Sequence, residues 1–130
     1  MLGLDIPKDT VVVADFEAGI GTLTRLGDTT VDAVVIVVEA TVKSLGVASR
    51  AAELAANVTS GPIVVVANRV VDDDDRVAVE KALPGQTVLL VPDDRAIPAA
   101  DRADQAPLDA SPESPAVRAL SSLADLLLER

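Results

Sequence analysis

The 130-residue sequence contains no cysteine and no histidine. Their absence excludes disulfides, thiolate metal sites, cysteine nucleophiles and histidine general bases. Phe16 is the only aromatic residue, so any hydrophobic core has to be built from small aliphatic side chains. Hydrophobic residues nevertheless make up 49% of the chain, and most of them are valine, alanine and leucine. Valine-rich runs of this kind are typical of parallel strands that are buried on both faces.

Basic residues and long apolar segments are also scarce. The chain has 11 lysines and arginines against 21 acids, which gives a net charge of -10. DNA and anionic membrane surfaces would repel such a chain, so we expect neither as a partner. No apolar run approaches the roughly 20 residues that span a bilayer, and the start does not resemble a signal peptide. We therefore expect a cytoplasmic protein that forms one domain over residues 1–130.

Two common nucleotide-binding loops are missing from the sequence. The phosphate loop G-x-x-x-x-G-K-[ST] requires a Gly-Lys pair, and none of the three lysines follows a glycine. The dinucleotide fingerprint G-x-G-x-x-G also fails, because Thr24 stands where the third glycine would follow Gly19 and Gly21. A backbone turn near a phosphate and a plain tight turn both remain open for this glycine pair.

Apolar runs alternate with helical patterns along the chain. The predicted strands are Val11–Asp15, Ala33–Glu39, Ile63–Ala67 and Thr87–Val91. Three helices are predicted. The first has an N-cap at Thr41 and stops at Gly61-Pro62, and the second covers Arg76–Leu83. The third has an N-cap and N1 pair at Ser114-Pro115 and continues to the end of the sequence. Gly19–Asp32 and residues 104–113 are expected to be connections, with a helical turn near Pro98–Ala103. This order predicts an α/β fold: a three-layer parallel sheet with helices on both faces.

Two carboxylates, Asp15 and Glu17, follow the first predicted strand. An aspartate in this position can hold a magnesium ion beside a nucleotide phosphate, and a nearby glutamate can orient a water molecule. Acids at strand ends also occur simply as solvated groups or as caps of the next helix. Spacing alone leaves both interpretations open.

Polar residues follow the third and fourth predicted strands. They are Asn68 and Arg69, and then Asp93 and Asp94 after Pro92. Ligands of open parallel sheets bind at the carboxyl ends of the strands, and an asparagine amide can donate to and accept from a purine edge. Such residues are also ordinary in turns, which is the simpler interpretation. The acidic run 72–75 lacks the spacing and the glycine of a calcium loop, so these acids are expected to be solvated at a helix start.

Taken together, these segments resemble one family. DFEAGIGTLTR, VDAVVIVVEATVKSLGVASR, PIVVVANRV and VPDD are similar to the later half of the MinD/ParA-type ATPases with deviant phosphate loops. The CooC-type accessory ATPase of carbon monoxide dehydrogenase maturation shows the most similar pattern. The resemblance covers residues 10–94 and implies a partial phosphate-loop NTPase fold, with a role in ATP-dependent assembly or nickel insertion.

The resemblance also implies a cofactor, ATP or ADP with Mg²⁺, and a set of site residues. Asp15 would be the acid on the magnesium side, with Glu17 as its catalytic neighbour. Asn68 would contact the adenine, and the backbone around Pro92 and Asp93 would line the base. Gly19 and Arg69 complete the candidate cofactor-binding positions.

The sequence departs from the family most strongly in lacking the front half, which carries the phosphate loop. It also differs at three other places. The family often has an acid and a histidine where this sequence has Gly21-Thr22, a proline in place of Ala40 and a lysine in place of Arg69. We therefore expect a truncated, split or degenerate relative that does not hydrolyse ATP by itself. The alternative is a non-enzymatic dimerisation or interaction domain with a protein partner or a second copy. A phosphoacceptor receiver domain fits less well, because no lysine closes the fourth predicted strand.

Overall fold

A computed structural model describes residues 7–16 and 30–129 of the chain. Within these ranges, the elements in chain order are β1 (Val34–Val38), α1 (Val42–Ala55), β2 (Ile63–Val70), α2 (Asp73–Ala82), β3 (Thr87–Pro92), α3 (Ala96–Arg102), α4 (Pro107–Ala110) and α5 (Pro115–Leu128). The predicted α/β class with a parallel sheet is confirmed. None of the helices in the described ranges has both the length and the apolar character needed to cross a membrane.

The three strands form one parallel sheet in the order β1-β2-β3. β1 pairs with β2 from Val34 opposite Ile63 to Val38 opposite Ala67. β2 pairs with β3 on its other side, with an irregularity in register between Ala67 and Val70. β2 is therefore the central strand, and its residues Val64, Val65 and Val66 are all buried.

One face of the sheet packs against α1 and α2. The buried residues on this side are Ile36, Val38, Val65 and Ala67 of the sheet, Ala48, Ala52 and Ala55 of α1, Val79 of α2, and Leu83 just after it. The three alanines recur at spacings of four and three, so they form one face of the helix. Because their side chains are small, α1 can approach the sheet closely without a large aromatic anchor.

The alternate residues of the same strands form a second hydrophobic cluster. Val64, Val66 and Val91 pack there against Ala116 of α5, with Ala119, Leu123 and Leu127 partly buried around them. Successive strand residues point to opposite faces of a sheet, so one run of valines supplies both clusters. This explains why the first five residues of β2, Ile63–Ala67, are all apolar.

Side-chain caps begin the three long helices. Thr41 caps α1, Asp72 caps α2 and Ser114 caps α5, each accepting a hydrogen bond from a backbone N–H three residues later. The predicted caps at Thr41 and Ser114 are confirmed, as is Pro115 in the first turn of α5. Pro84 and Gly85 follow α2, and Gly85 adopts a positive φ of 78° that glycine tolerates without strain.

The predicted strand Val11–Asp15 is wrong. Residues 11–16 have no regular secondary structure and are exposed, although their composition resembles that of β1 and β2. A strand exists only through hydrogen bonds to a neighbouring strand, and among the described residues this segment pairs with none. The described part of the chain therefore has three strands where four were predicted.

Several boundaries also differ from the predictions. α1 ends at Ala55, short of the predicted stop, and α2 begins at Asp73 because Asp72 caps it. β2 continues to Val70, past its predicted end at Ala67. The predicted turn near residues 98–103 is the helix α3, and the expected loop at 104–113 contains the short helix α4. Most of the predicted connection Gly19–Asp32 lies outside the described residues.

Candidate ligand site at the carboxyl edge of the sheet

A cleft of about 240 Å³ lies where the three strands end. It is lined by Glu39, Ala40 and Thr41 after β1, by Arg69, Val71 and Asp75 around the end of β2 and the start of α2, and by Asp93 after β3. All three strands run in the same direction, so the residues that follow them meet at one edge of the sheet. This is the edge at which open parallel sheets bind their ligands.

Arg69 lines the cleft and contacts two of its carboxylates. Its guanidinium group is 3.6 Å from a carboxylate oxygen of Glu39 and 3.6 Å from one of Asp93, so it bridges the ends of β1 and β3. The backbone of Arg69 has a φ of 57°, a left-handed conformation that is uncommon outside glycine, at the register irregularity of β2. The side chain remains 67% exposed, and both ion pairs are weak by their distance and exposure.

Hydrogen bonds at the starts of α1 and α2 hold the walls of the cleft. The Glu39 N–H donates to the Ser44 hydroxyl at 3.0 Å, which ties the end of β1 to the first turn of α1. On the other side, the Val71 N–H donates to the Asp75 carboxylate at 2.9 Å. The Asp75 carboxylate is thus engaged with the backbone of Val71, while Glu39 and Asp93 face Arg69.

The acidic run that begins α2 also has a structural role. The Asp72 carboxylate accepts from the Asp75 N–H at 3.0 Å, and Asp73 pairs with Arg76 at 2.7 Å. The hydrogen bond from Arg76 holds the pKa of Asp73 below its usual value. These acids lie at the positive end of the helix dipole, as expected for a solvated helix start.

The cleft is rich in hydrogen-bond acceptors. Three carboxylates line it, against one guanidinium group that two of those carboxylates already contact. Ionised carboxylates only accept hydrogen bonds, so they suit hydroxyl and amino groups of a ligand. They disfavour phosphates, which carry the same sign of charge.

Asp94 joins the end of β3 to α5. Its two carboxylate oxygens accept from the Ala116 N–H at 3.0 Å and from the Ala96 N–H at 2.9 Å. These two hydrogen bonds hold the pKa of Asp94 below its usual value, and the one from Ala116 has the larger effect. A single side chain therefore orients the starts of both α3 and α5 beside the cleft.

Replacing Asp94 with asparagine should lower the melting temperature at neutral pH, because the amide has only one oxygen for two N–H donors. The folded-state pKa is lower than the unfolded one, so the stabilisation from Asp94 is present above about pH 4 and is lost as the pH falls through the folded-state value. Thermal unfolding followed from about pH 6 down to about pH 2 should show the two proteins converging.

Asp125→Asn, an exposed change within α5, is the matched control and should leave the melting temperature nearly unchanged. A difference between Asp94→Asn and the wild type that stays constant down to the lowest pH would contradict the role assigned to the ionised carboxylate.

The structure brings together only part of the predicted site. Arg69 and Asp93 line the cleft, whereas Asn68 and Pro92 are half-buried neighbours of these residues that do not line it. Asp15 is exposed and does not line the cleft either, and its predicted position at the end of a strand is wrong. Glu17 and Gly19 lie outside the described residues. Within the described ranges, no group of three or more acidic side chains is arranged to hold a metal ion.

Sequence reasoning missed three polar residues that line the cleft, Glu39, Thr41 and Asp75. The sequence pattern identifies Glu39 only as the end of a strand and Thr41 only as a helix cap. Both lie just after β1, at the same edge of the sheet as Arg69 and Asp93. Applying the carboxyl-end rule to every strand would have found them. Asp94 was noted as a turn residue, and its contact with Ala116, 22 positions later, has no local signal.

A second recess lies at the opposite, amino end of β1. It is larger, about 370 Å³, open and mostly polar, and its lining includes Thr30, Asp32, Asn57 and Thr59. Thr59 is buried, and its hydroxyl accepts from the Gly61 N–H at 2.9 Å. None of the predicted site residues that the structure describes lines this recess, so the carboxyl-edge cleft is the stronger candidate.

No family model matches the sequence, and no curated protein matches it either. The resemblance to the MinD/ParA-type ATPases therefore rests on the residues quoted above.

Proposed function

We propose that this chain is a MinD/ParA-like, CooC-like nucleotide-binding domain whose carboxyl-edge cleft binds the nucleoside part of ATP or ADP. Magnesium and the phosphates would be held elsewhere, with Asp15 contributing on the magnesium side. The chain by itself would not hydrolyse ATP. Its role would be the ATP-dependent assembly or metal insertion that the resemblance implies.

The observation that carries this proposal is the left-handed Arg69 at the end of the central strand. A non-glycine residue with a positive φ costs free energy, and such residues cluster at functional sites. Here the conformation lies beside Glu39 and Asp93 in a cleft at the ligand-binding edge. The strained backbone and the position in the sheet together support ligand binding over a simple turn.

The charge of the cleft favours binding of the nucleoside part of the ligand over binding of its phosphates. Ribose hydroxyls and the adenine amino group are donors that carboxylates accept, whereas a triphosphate would meet three acids. Phosphoryl transfer depends on a phosphate cradle and its lysine, and the sequence has no Gly-Lys pair. We accordingly assign the phosphate-binding lysine to another segment or another chain.

The finer fold assignment belongs to the same proposal. A three-layer arrangement of the phosphate-loop NTPase type is supported by the two hydrophobic clusters, which use alternate residues of the same strands. The cluster with α1 and α2 lies on one face, and the cluster with α5 lies on the other.

Titration calorimetry with adenosine and with Mg²⁺-ATP tests the proposal. We expect weak binding of both ligands, with Mg²⁺-ATP binding no more tightly than adenosine, because the acidic cleft disfavours the phosphates. Arg69→Ala should weaken binding about tenfold, since it releases the two acids that shape the cleft.

Arg118→Ala is the matched control. Arg118 is as exposed as Arg69 and also forms an ion pair, with Glu113, but it lies on α5. Two results would overturn the proposal: no binding of either ligand at millimolar concentration, or ATP turnover by the purified chain that Asp15→Ala abolishes. The first result would show that the cleft does not bind a nucleoside. The second would show that the chain hydrolyses ATP by itself.

A second candidate function is a non-enzymatic interaction domain. It is favoured by one observation, the exposure of Val35 and Val37 on β1. The two functions are compatible, because the cleft and these valines occupy different parts of the sheet.

A further inference from the structure

In the part of the chain that the structure describes, β1 has a strand neighbour on one side only. β2 takes one edge, and no other strand of the described residues lies along the other. The five residues of β1 are all valine or isoleucine, with no charge, proline or bulge. An unpaired edge of this kind offers free N–H and C=O groups to another strand, and proteins usually protect it with charged residues or proline.

The face of β1 that points away from α1 is also uncovered. Val35 is 38% exposed and Val37 is 64% exposed, whereas Val66, which pairs with Val37 in the sheet, is only 3% exposed. The cluster formed with α5 includes Val64 and Val66 of β2 but neither valine of β1. The open edge and the open face therefore adjoin each other on one strand.

The negative charge of the chain favours a basic partner over a second copy of the chain as the occupant of this surface. A second copy of the chain would bring another net charge of -10 against the first. The surface also ends at an acidic cleft, because Glu39 directly follows β1 and shares the cleft with Asp75 and Asp93. A partner segment with basic residues beside its apolar stretch is complementary to both features.

We propose that β1 is the docking site for an extended, apolar segment of a basic partner protein. The segment adds a strand to the open edge, its apolar side chains cover Val35 and Val37, and a lysine or arginine at one end meets Glu39. Main-chain hydrogen bonds supply affinity, and the valine face and the acidic end supply specificity. This proposal does not depend on nucleotide binding.

The test uses a fluorescently labelled peptide in which valine and threonine alternate over the length of β1, with two lysines at each end. Fluorescence anisotropy with the full chain should show saturable binding. Val37→Lys should weaken binding at least about tenfold, because it places a charge on the docking face and repels the lysines. A peptide with the same core and glutamates at both ends should also bind at least about tenfold more weakly.

Val77→Lys is the matched control, since Val77 is an exposed valine on α2 and not on the sheet. Circular dichroism should show that both variants keep the fold, which their exposed positions allow. Equal weakening by Val37→Lys and Val77→Lys would overturn the proposal, because charge attraction alone would then explain binding. Sedimentation that shows a dimer of the wild type, abolished by Val37→Lys, would also overturn it and assign the edge to a second copy.

Discussion

Replacing Val66 with aspartate is expected to abolish the folded state. Val66 lies on the central strand and packs in the cluster formed with α5, where the carboxylate would have no partner. Burying an unpaired charge in such a cluster costs more than about 4 kcal/mol, and the total stability of a domain is only about 5–15 kcal/mol. Circular dichroism and chemical unfolding of the purified variant measure the loss.

Val37→Asp is the matched control for this prediction. Val37 lies opposite Val66 in the parallel register and points to the same face, but most of its side chain is exposed. The free energy of unfolding should change by less than about 1 kcal/mol, the usual range for an exposed strand position. Unfolding of both variants would mean that α5, or a segment outside the described residues, covers β1 as well.

The second large effect is expected from Ala55→Leu. Ala55 is fully buried where α1 meets the sheet, and its neighbours on that helix face, Ala48 and Ala52, are also buried. A leucine there has no space unless α1 moves away from the strands, and overpacking of this kind typically costs about 1–3 kcal/mol. The midpoint of denaturant unfolding should fall accordingly.

Glu53→Leu adds a leucine to the exposed face of the same helix and serves as the control. Its unfolding midpoint should stay close to that of the wild type, because helix propensity changes little between glutamate and leucine. Equal destabilisation by both leucines would indicate an effect on the helix itself and would contradict close packing at Ala55.

The two proposals concern adjacent parts of one sheet. The cleft lies beyond the carboxyl ends of the strands, and the docking surface lies along the free side of β1, with Glu39 between them. A strand bound to β1 would bring its end to the cleft. Arg69→Ala and Val37→Lys test the two surfaces separately.

The sequence by itself determined the class of the fold and most of its elements. β1, β2 and β3 were predicted because each is a short apolar run that ends at polar or turn residues. α1 and α5 were predicted with their caps, because a threonine or serine N-cap acts on the next few backbone N–H groups and needs no distant contact. The carboxyl-edge positions of Arg69 and Asp93 followed from the same strand ends.

Only the tertiary structure decided which apolar runs pair and which are covered. Val11–Asp15 is as apolar as the three strands, but it is not a strand. A strand needs a neighbouring strand to pair with, and a local sequence pattern does not show whether one is present. Val37 and Val66 are the same residue type in similar runs, and their exposure differs because the cluster with α5 reaches β2 but not β1. The bridge from Arg69 to Glu39 and the contact of Asp94 with Ala116 likewise join residues far apart in the chain, which local patterns do not reveal.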